Sequence, residues 1–277
     1  PGGLKVQTIH AFCTRLLHQF PFEADVAARF EVLDETATTQ LLNELTLAVL
    51  LDGATNPDGT LGKALTVAIT NAADVTFKEV IAETIGKRDL ITEWTKRAGG
   101  IQQAIDELTR TFGLATGDSI QAIEGEYFSA SLIPRREWPE LIDIFSAGSK
   151  TDKERAESLS VTLRSVGREQ IEQYLDVFCT GERKGRASVL TKKLADANPQ
   201  WADRLNAERD RICRLIAREF ALRARDRSAA LITVAAEVIE RYRTEKDRRG
   251  LLDYEDLIDK TLTLLRDAST KSTAAAW

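Results

Sequence analysis

Val6-Gln7-Thr8-Ile9-His10-Ala11-Phe12-Cys13 runs directly into Thr14-Arg15-Leu16-Leu17-His18-Gln19-Phe20-Pro21, where an apolar run gives way to helical spacing. A short apolar run that stops at a Thr- and His-bearing turn and then takes up helical spacing predicts a strand-loop-helix element. Both histidines of the chain, His10 and His18, lie inside it. Strand-like alternation is scarce after Val6, so this strand is expected to join a sheet supplied by residues outside the chain.

Outward from that stretch the pattern is helical. Leu41, Leu42, Leu45, Val49 and Leu50 recur at three- and four-residue spacing, as do Ile101, Ile105, Leu108 and Phe112 before Gly113. Further helical patterns cover 77–85, 138–145 and 154–166. Between 199 and 248 an apolar stripe including Leu205, Ile212, Leu215, Phe220, Leu231, Val234, Val238 and Tyr242 threads through Arg, Asp and Glu. It predicts one long helix, or two joined near 225–228. Asn56-Pro57-Asp58-Gly59, Gly99-Gly100 and Thr180-Gly181-Glu182-Arg183-Lys184-Gly185 punctuate the series. The fold expected is all-α, a multi-helix domain with a short N-terminal strand-loop-helix edge.

With 277 residues, of which 43% are hydrophobic, the chain can bury a sizeable core, which argues against disorder. A net charge of -5 offers a polyanion no global attraction and argues against a wholly basic DNA-binding module, while leaving room for a local basic track. Cys13, Cys179 and Cys213 are odd in number and widely spaced, which disfavours a disulfide framework or a zinc site and predicts a reducing cytosol. No secretory signal pattern opens the chain, and the longest apolar runs, such as 45–51, fall far short of the about 20 residues a membrane span needs. A cytoplasmic protein without a membrane partner is expected.

The opening stretch resembles motif Ib of the UvrD/RecB branch of superfamily 1 DNA helicases. Phe30-Glu31-Val32-Leu33-Asp34-Glu35 follows where that family carries a block opening its next helix, and Gly250-Leu251-Leu252-Asp253-Tyr254-Glu255-Asp256-Leu257-Ile258 is similar to its LDFxDLI helix. From Thr8 to Glu35 the wording is most similar to AddA-type helicase-nuclease subunits of bacterial double-strand break repair. The resemblance implies that 1–35 form the edge of ATPase domain 1A, 36–248 a helical 1B-like domain, and 249–277 a helix returning toward the ATPase core. It also implies DNA, single-stranded and duplex, as partner, a second helicase-nuclease subunit, and a bacterial, nucleoid-associated setting. ATP and Mg are implied for the full-length protein but no cofactor for this segment, because neither a G-x-x-x-x-G-K-[ST] loop nor a strand-borne Asp-Glu pair near the C-terminus occurs in it. The chain is therefore expected to be a piece of a larger motor, inactive as an ATPase alone.

Two groups of residues are candidates for DNA contact. Thr8 and His10 carry a hydroxyl and an imidazole that can hydrogen-bond phosphate oxygens without reading sequence, and in the family resembled this motif lies along the single-strand path. The plainer alternative is that Thr8 caps the helix and His10 is a surface residue. Arg183, Lys184, Arg186, Lys192 and Lys193 stand against one acid, Glu182, with Gly181 and Gly185 around them. They predict a flexible basic loop, which either follows a duplex backbone or is a solvated turn.

Other charged groups read more plainly. Arg209, Arg211, Arg214, Arg218, Arg223, Arg225 and Arg227 interleave with acids and predict exposed helix faces laced with i,i+4 pairs. Asp253 and Asp256 share a helix face but lack a third ligand for a metal, and Asp253 reads as a helix cap. No catalytic residue is assigned. A rival reading of the whole chain is an α-helical adaptor or scaffold that binds protein and not nucleic acid.

Overall fold

The computed structural model describes residues 7–70 and 74–270. In chain order the elements are α1 (Ile9–Gln19), β1 (Glu31–Val32), α2 (Glu35–Thr55), α3 (Thr60–Thr70), α4 (Asp74–Gly86), α5 (Arg88–Ala98) and α6 (Ile101–Thr111). There follow α7 (Ile120–Ser129), α8 (Trp138–Ser146), α9 (Lys150–Arg164), α10 (Gly167–Phe178), α11 (Lys192–Ala197), α12 (Pro199–Arg249), β2 (Leu251–Leu252) and α13 (Tyr254–Thr270). Helices carry the fold, and the sheet among the described residues is the parallel pair β1–β2, so the all-α class holds.

Local chemistry sets the helix starts. The side chains of Thr8, Asp34 and Ser119 accept from the backbone N–H three residues on, capping α1, α2 and α7. Ser149 and Asp152 cap α9 reciprocally. The expected strand at Val6 lies outside the described residues. The loop expected to carry His10 is a correction: with Thr8 as cap, the helix opens at Ile9 and His10 sits in its first turn. The stripe over 199–248 forms one helix, α12, of 51 residues, without a break at 225–228.

The chain divides into two compact units, Pro1–Ile101 with Ala229–Trp277, and Gln102–Ser228. In the first, Glu31 pairs with Leu251 and Val32 with Leu252, so the two flanks of the chain meet in register. Gly250 makes that return possible. Its φ of +67° is the left-handed conformation that ends α12, and a Cβ there would stand 3.2 Å from Ala27 Cβ. Around the pair, Cys13 and Leu17 of α1 pack with Phe30, Leu252, and Leu257 and Leu264 of α13. Leu17 and Leu257 are both fully buried, and each contributes about 1.5–3 kcal/mol by burial. A separate core in the same unit joins Val49, Leu65, Phe77, Ile81 and Ile85 to Val234 and Val238 of α12.

The second unit is built round aromatics. Trp138 stacks on Tyr174 at 5.3 Å between centroids, Tyr174 meets Phe178 edge-on at 5.0 Å, and the Trp138 indole donates to the Ile133 carbonyl at 3.0 Å. Glu208, on α12, is fully buried beside them. It accepts from Arg211 Nε at 2.8 Å and Nη2 at 2.6 Å, Leu132 N–H at 2.9 Å, Tyr174 OH at 2.9 Å and Ser131 Oγ at 3.1 Å. The reading of this arginine-rich stretch as exposed faces with i,i+4 pairs holds for Arg223, which is exposed and paired with Glu219, but not for Arg211 and Arg218. Arg211 also reaches the carbonyls of Glu126 and Tyr127, and Arg218 the carboxylates of Asp118 and Glu126, so these arginines hold α12 to α7 and its approach.

Candidate nucleic-acid interface

The exposed Thr8 hydroxyl accepts from Ala11 N–H at 3.2 Å, which occupies a lone pair but leaves its own hydrogen free to donate. No acid stands in the first turn of α1, so nothing there opposes the positive end of the helix dipole. Two residues into the turn, the His10 ring lies on Tyr254 of α13, with centroids 4.5 Å apart and planes 27° apart. Tyr254 is 41% exposed although its neighbour Asp253 is 3% exposed. Tyr254 also borders a groove of about 590 Å³ between α2 and α4. Glu35, Asp253 and Glu255 give the groove lining negative charge against one cation, Arg88, whereas the first turn of α1 carries no acid.

Beneath Tyr254 lies a buried ionic cluster. Asp253 caps α13 by accepting from Asp256 N–H at 3.0 Å, and Asp256 returns the bond by accepting from Asp253 N–H at 2.9 Å. Lys246 Nζ donates to Asp253 at 3.0 Å and lies in still closer contact with Asp256. Tyr242 OH donates to Asp253 at 2.8 Å, and Arg88 stands 3.6 Å from the same carboxylate. Burial works against the Asp253 charge, but the Asp256 amide, Lys246 and Tyr242 outweigh it and hold its pKa below the ordinary value. For Asp256 burial wins, reinforced by the Asp253 charge, and its pKa is raised.

The expected basic loop takes a hydrogen-bonded form in the second unit. Thr180 N–H bonds the Lys184 carbonyl at 2.8 Å, and Arg186 N–H bonds the Phe178 carbonyl at 2.9 Å, closing a tight turn with Arg183 at φ +59°. Arg183 pairs with Glu172 and Asp176 of α10, while Arg186 donates to the Asp176 carbonyl. The guanidinium of Arg209 grips the Arg186 and Ala187 carbonyls from α12. Flexibility is thus replaced by a turn that both arginines fasten to the protein. Lys184, Lys192 and Lys193 remain exposed, with Lys184 paired to the equally exposed Glu182 at 2.8 Å.

A family model for the UvrD/REP helicase N-terminal domain matches residues 2–277. The chain belongs to the UvrD/REP helicase family. No curated protein matches the sequence. As a UvrD-like superfamily 1 helicase chain, it serves DNA helicase function in the general sense, and DNA is its partner. Among the described residues no helix is long and apolar enough to cross a membrane.

The sequence pattern points to Thr8 and His10 and places Tyr242 in an apolar stripe, but it does not single out Tyr254, Lys246 or Arg88. The spacing from Lys246 to Asp253 and Asp256, with the stop at Gly250 between, carries a signal in hindsight. A helix that reverses at a left-handed glycine returns its last turn to the start of the next helix.

Proposed function

We propose that this chain is the DNA-tracking part of an AddA-like helicase acting in double-strand break repair and recombination, in a complete protein that uses ATP and Mg and works with a second helicase-nuclease subunit. The flanks, 1–35 and 249–277, act as the edge of ATPase domain 1A and its return helix, and the helical segment 36–248 as the 1B-like excursion. The observation that carries the reading is the junction of those flanks: α1 and α13 share one core, and above it Thr8 and His10 stand at a helix N-terminus free of acids. The match over residues 2–277 favours a motor over a protein-binding adaptor.

The residues at this junction do not fit a nucleotide with its metal. Asp253 and Asp256 are committed to each other's amides and to Lys246, and no phosphate-cradling glycine loop accompanies them. Hydrolysis is therefore assigned to none of these residues. Their chemistry is positional: the Thr8 hydroxyl and His10 imidazole donate to phosphates of a single strand, holding it in register without reading bases. Lys184 in the basic turn and Lys192 and Lys193 at the start of α11 serve as point charges for the duplex. Arg183 and Arg186 shape the turn that presents Lys184.

Fluorescence anisotropy with labelled single-strand, duplex and forked DNA across a salt series tests both contacts. Changing Lys184, Lys192 and Lys193 together to Ala is expected to lower the slope of log K against log salt on duplex by about 2–3, one phosphate contact each. His10→Ala is expected to weaken single-strand binding with little change on duplex. Binding unchanged in both variants sinks the assignment.

A further inference from the structure

The capping box of α13 is complete without Lys246. Asp253 and Asp256 already satisfy each other's amides, at 3.0 and 2.9 Å, so the helix end needs no third group. Yet Lys246 is 7% exposed, and burying an ammonium is costly unless it is fully paired. Its three hydrogens have defined surroundings: the Asp253 carboxylate, the Asp256 carboxylate, and the face of Tyr242, 4.6 Å from Nζ to the ring centroid. Tyr242 is held in turn by its hydroxyl on Asp253 and by Arg88, 5.9 Å from its ring. Lys246, Tyr242 and Arg88 all converge on Asp253, the residue before Tyr254.

Gly250 reverses the chain between Lys246 and these aspartates, so the contact spans two helices and fixes the turn of α13 about its own axis. Tyr254 is the first residue of that helix, and a small rotation would carry its ring away from His10. The ring is not held by burial, being 41% exposed.

We propose that Lys246 is a positioning residue for the nucleic-acid contact: by clamping Asp253 and Asp256 it sets the first turn of α13 and, through Tyr254, the orientation of the His10 imidazole at the N-terminus of α1. This rests on the reading that Thr8 and His10 meet a DNA phosphate. A group that only stabilised the fold would show its loss in stability alone.

The test pairs two readouts on the 277-residue chain. Proton NMR of the His10 ring reports the stack directly, because the Tyr254 ring current displaces its resonances, and Tyr254→Leu calibrates the displacement. Anisotropy with labelled single-strand DNA reports the contact. Lys246→Met is expected to abolish most of the displacement and to weaken single-strand binding about tenfold, the loss of one hydrogen bond to a charged phosphate. Asp256→Asn, which can still accept the Asp253 amide, is expected to change both in the same direction by less, and stands in if Lys246→Met does not fold. A folded Lys246→Met or Asp256→Asn protein with the displacement of the parent overturns the positioning role. If His10→Ala and Tyr254→Leu leave single-strand affinity untouched, the DNA reading fails, and the NMR arm still decides whether Lys246 orients His10.

Discussion

Replacing Glu208 with Ala removes the acceptor of five hydrogen bonds from a fully buried position. Breaking a buried ion pair by deleting one partner costs about 3–5 kcal/mol. The surroundings place this case near the lower end, at about 3 kcal/mol. Arg211 keeps the carbonyls of Glu126 and Tyr127, at 2.9 and 2.8 Å, and Ser131 and Tyr174 can still bond each other at 3.0 Å. The Leu132 amide loses its side-chain acceptor. Glu208→Gln retains an acceptor for it and is expected to cost about 2 kcal/mol, the loss of charge-assisted bonds to Arg211.

Native-state hydrogen exchange is the suitable assay, because a chain of two compact units need not unfold in one step. Protection of amides in α7, α10 and the 199–228 part of α12 should fall in the order parent, Gln, Ala. Burial opposes the Glu208 charge, but Arg211, the Leu132 amide and Tyr174 outweigh it and hold its pKa below the ordinary value. Its contribution is therefore fully present above the unfolded glutamate pKa of about 4.3 and is lost as pH falls through the lower folded value. The gap between parent and Glu208→Ala should accordingly narrow with acidification below that point. An Ala variant within about 0.5 kcal/mol of the parent at neutral pH, the range of ordinary surface changes, would refute the account of this network.

Three further substitutions test particular contacts. Gly185→Ala places a Cβ 2.7 Å from Cys213 Sγ and should destabilise by about 1–3 kcal/mol in urea unfolding, with most of the loss recovered in a Cys213→Ala background. Gly250→Ala forces a φ of +67° on a residue with a Cβ and should cost about 1–2 kcal/mol, read as faster exchange in α13 and at Leu33, whose amide bonds the Leu252 carbonyl. Thr8→Ala removes the cap of α1 and should cost about 1 kcal/mol, whereas Thr8→Ser keeps both cap and donor and should bind single-strand DNA like the parent.

Helical class and several helices were legible because amphipathic spacing over 41–50, 101–112 and 205–242 is a local signal. Asp253 as a cap was legible for the same reason, since the bond runs to Asp256, three residues on. The β1–β2 pair was not, because two residues carry no period and their partners are remote in sequence. His10 was placed on a loop because its cap, Thr8, was weighed chiefly as a phosphate donor. Arg183 and Arg186 counted as free cations because sequence shows charge but not direction, and their partners on α10 become neighbours only when the chain doubles back. The Tyr254–His10 stack was not legible, because the two rings come from helices at opposite ends of the sequence and meet only when the flanks come together.

The parallel pairing of Glu31 with Leu251 also fixes an order of events during synthesis. Roughly 220 residues separate the partners, which at about 5–20 residues per second is on the order of 10–40 s of translation. Through that interval Cys13, Leu17 and Phe30 have left the ribosome without Leu252, Leu257 and Leu264 to cover them. Gln102–Ser228, by contrast, emerges with its aromatic core complete in one continuous stretch. Helix α1 is thus made well before the residues that seat it, whereas the core of Gln102–Ser228 can close as soon as that stretch is out.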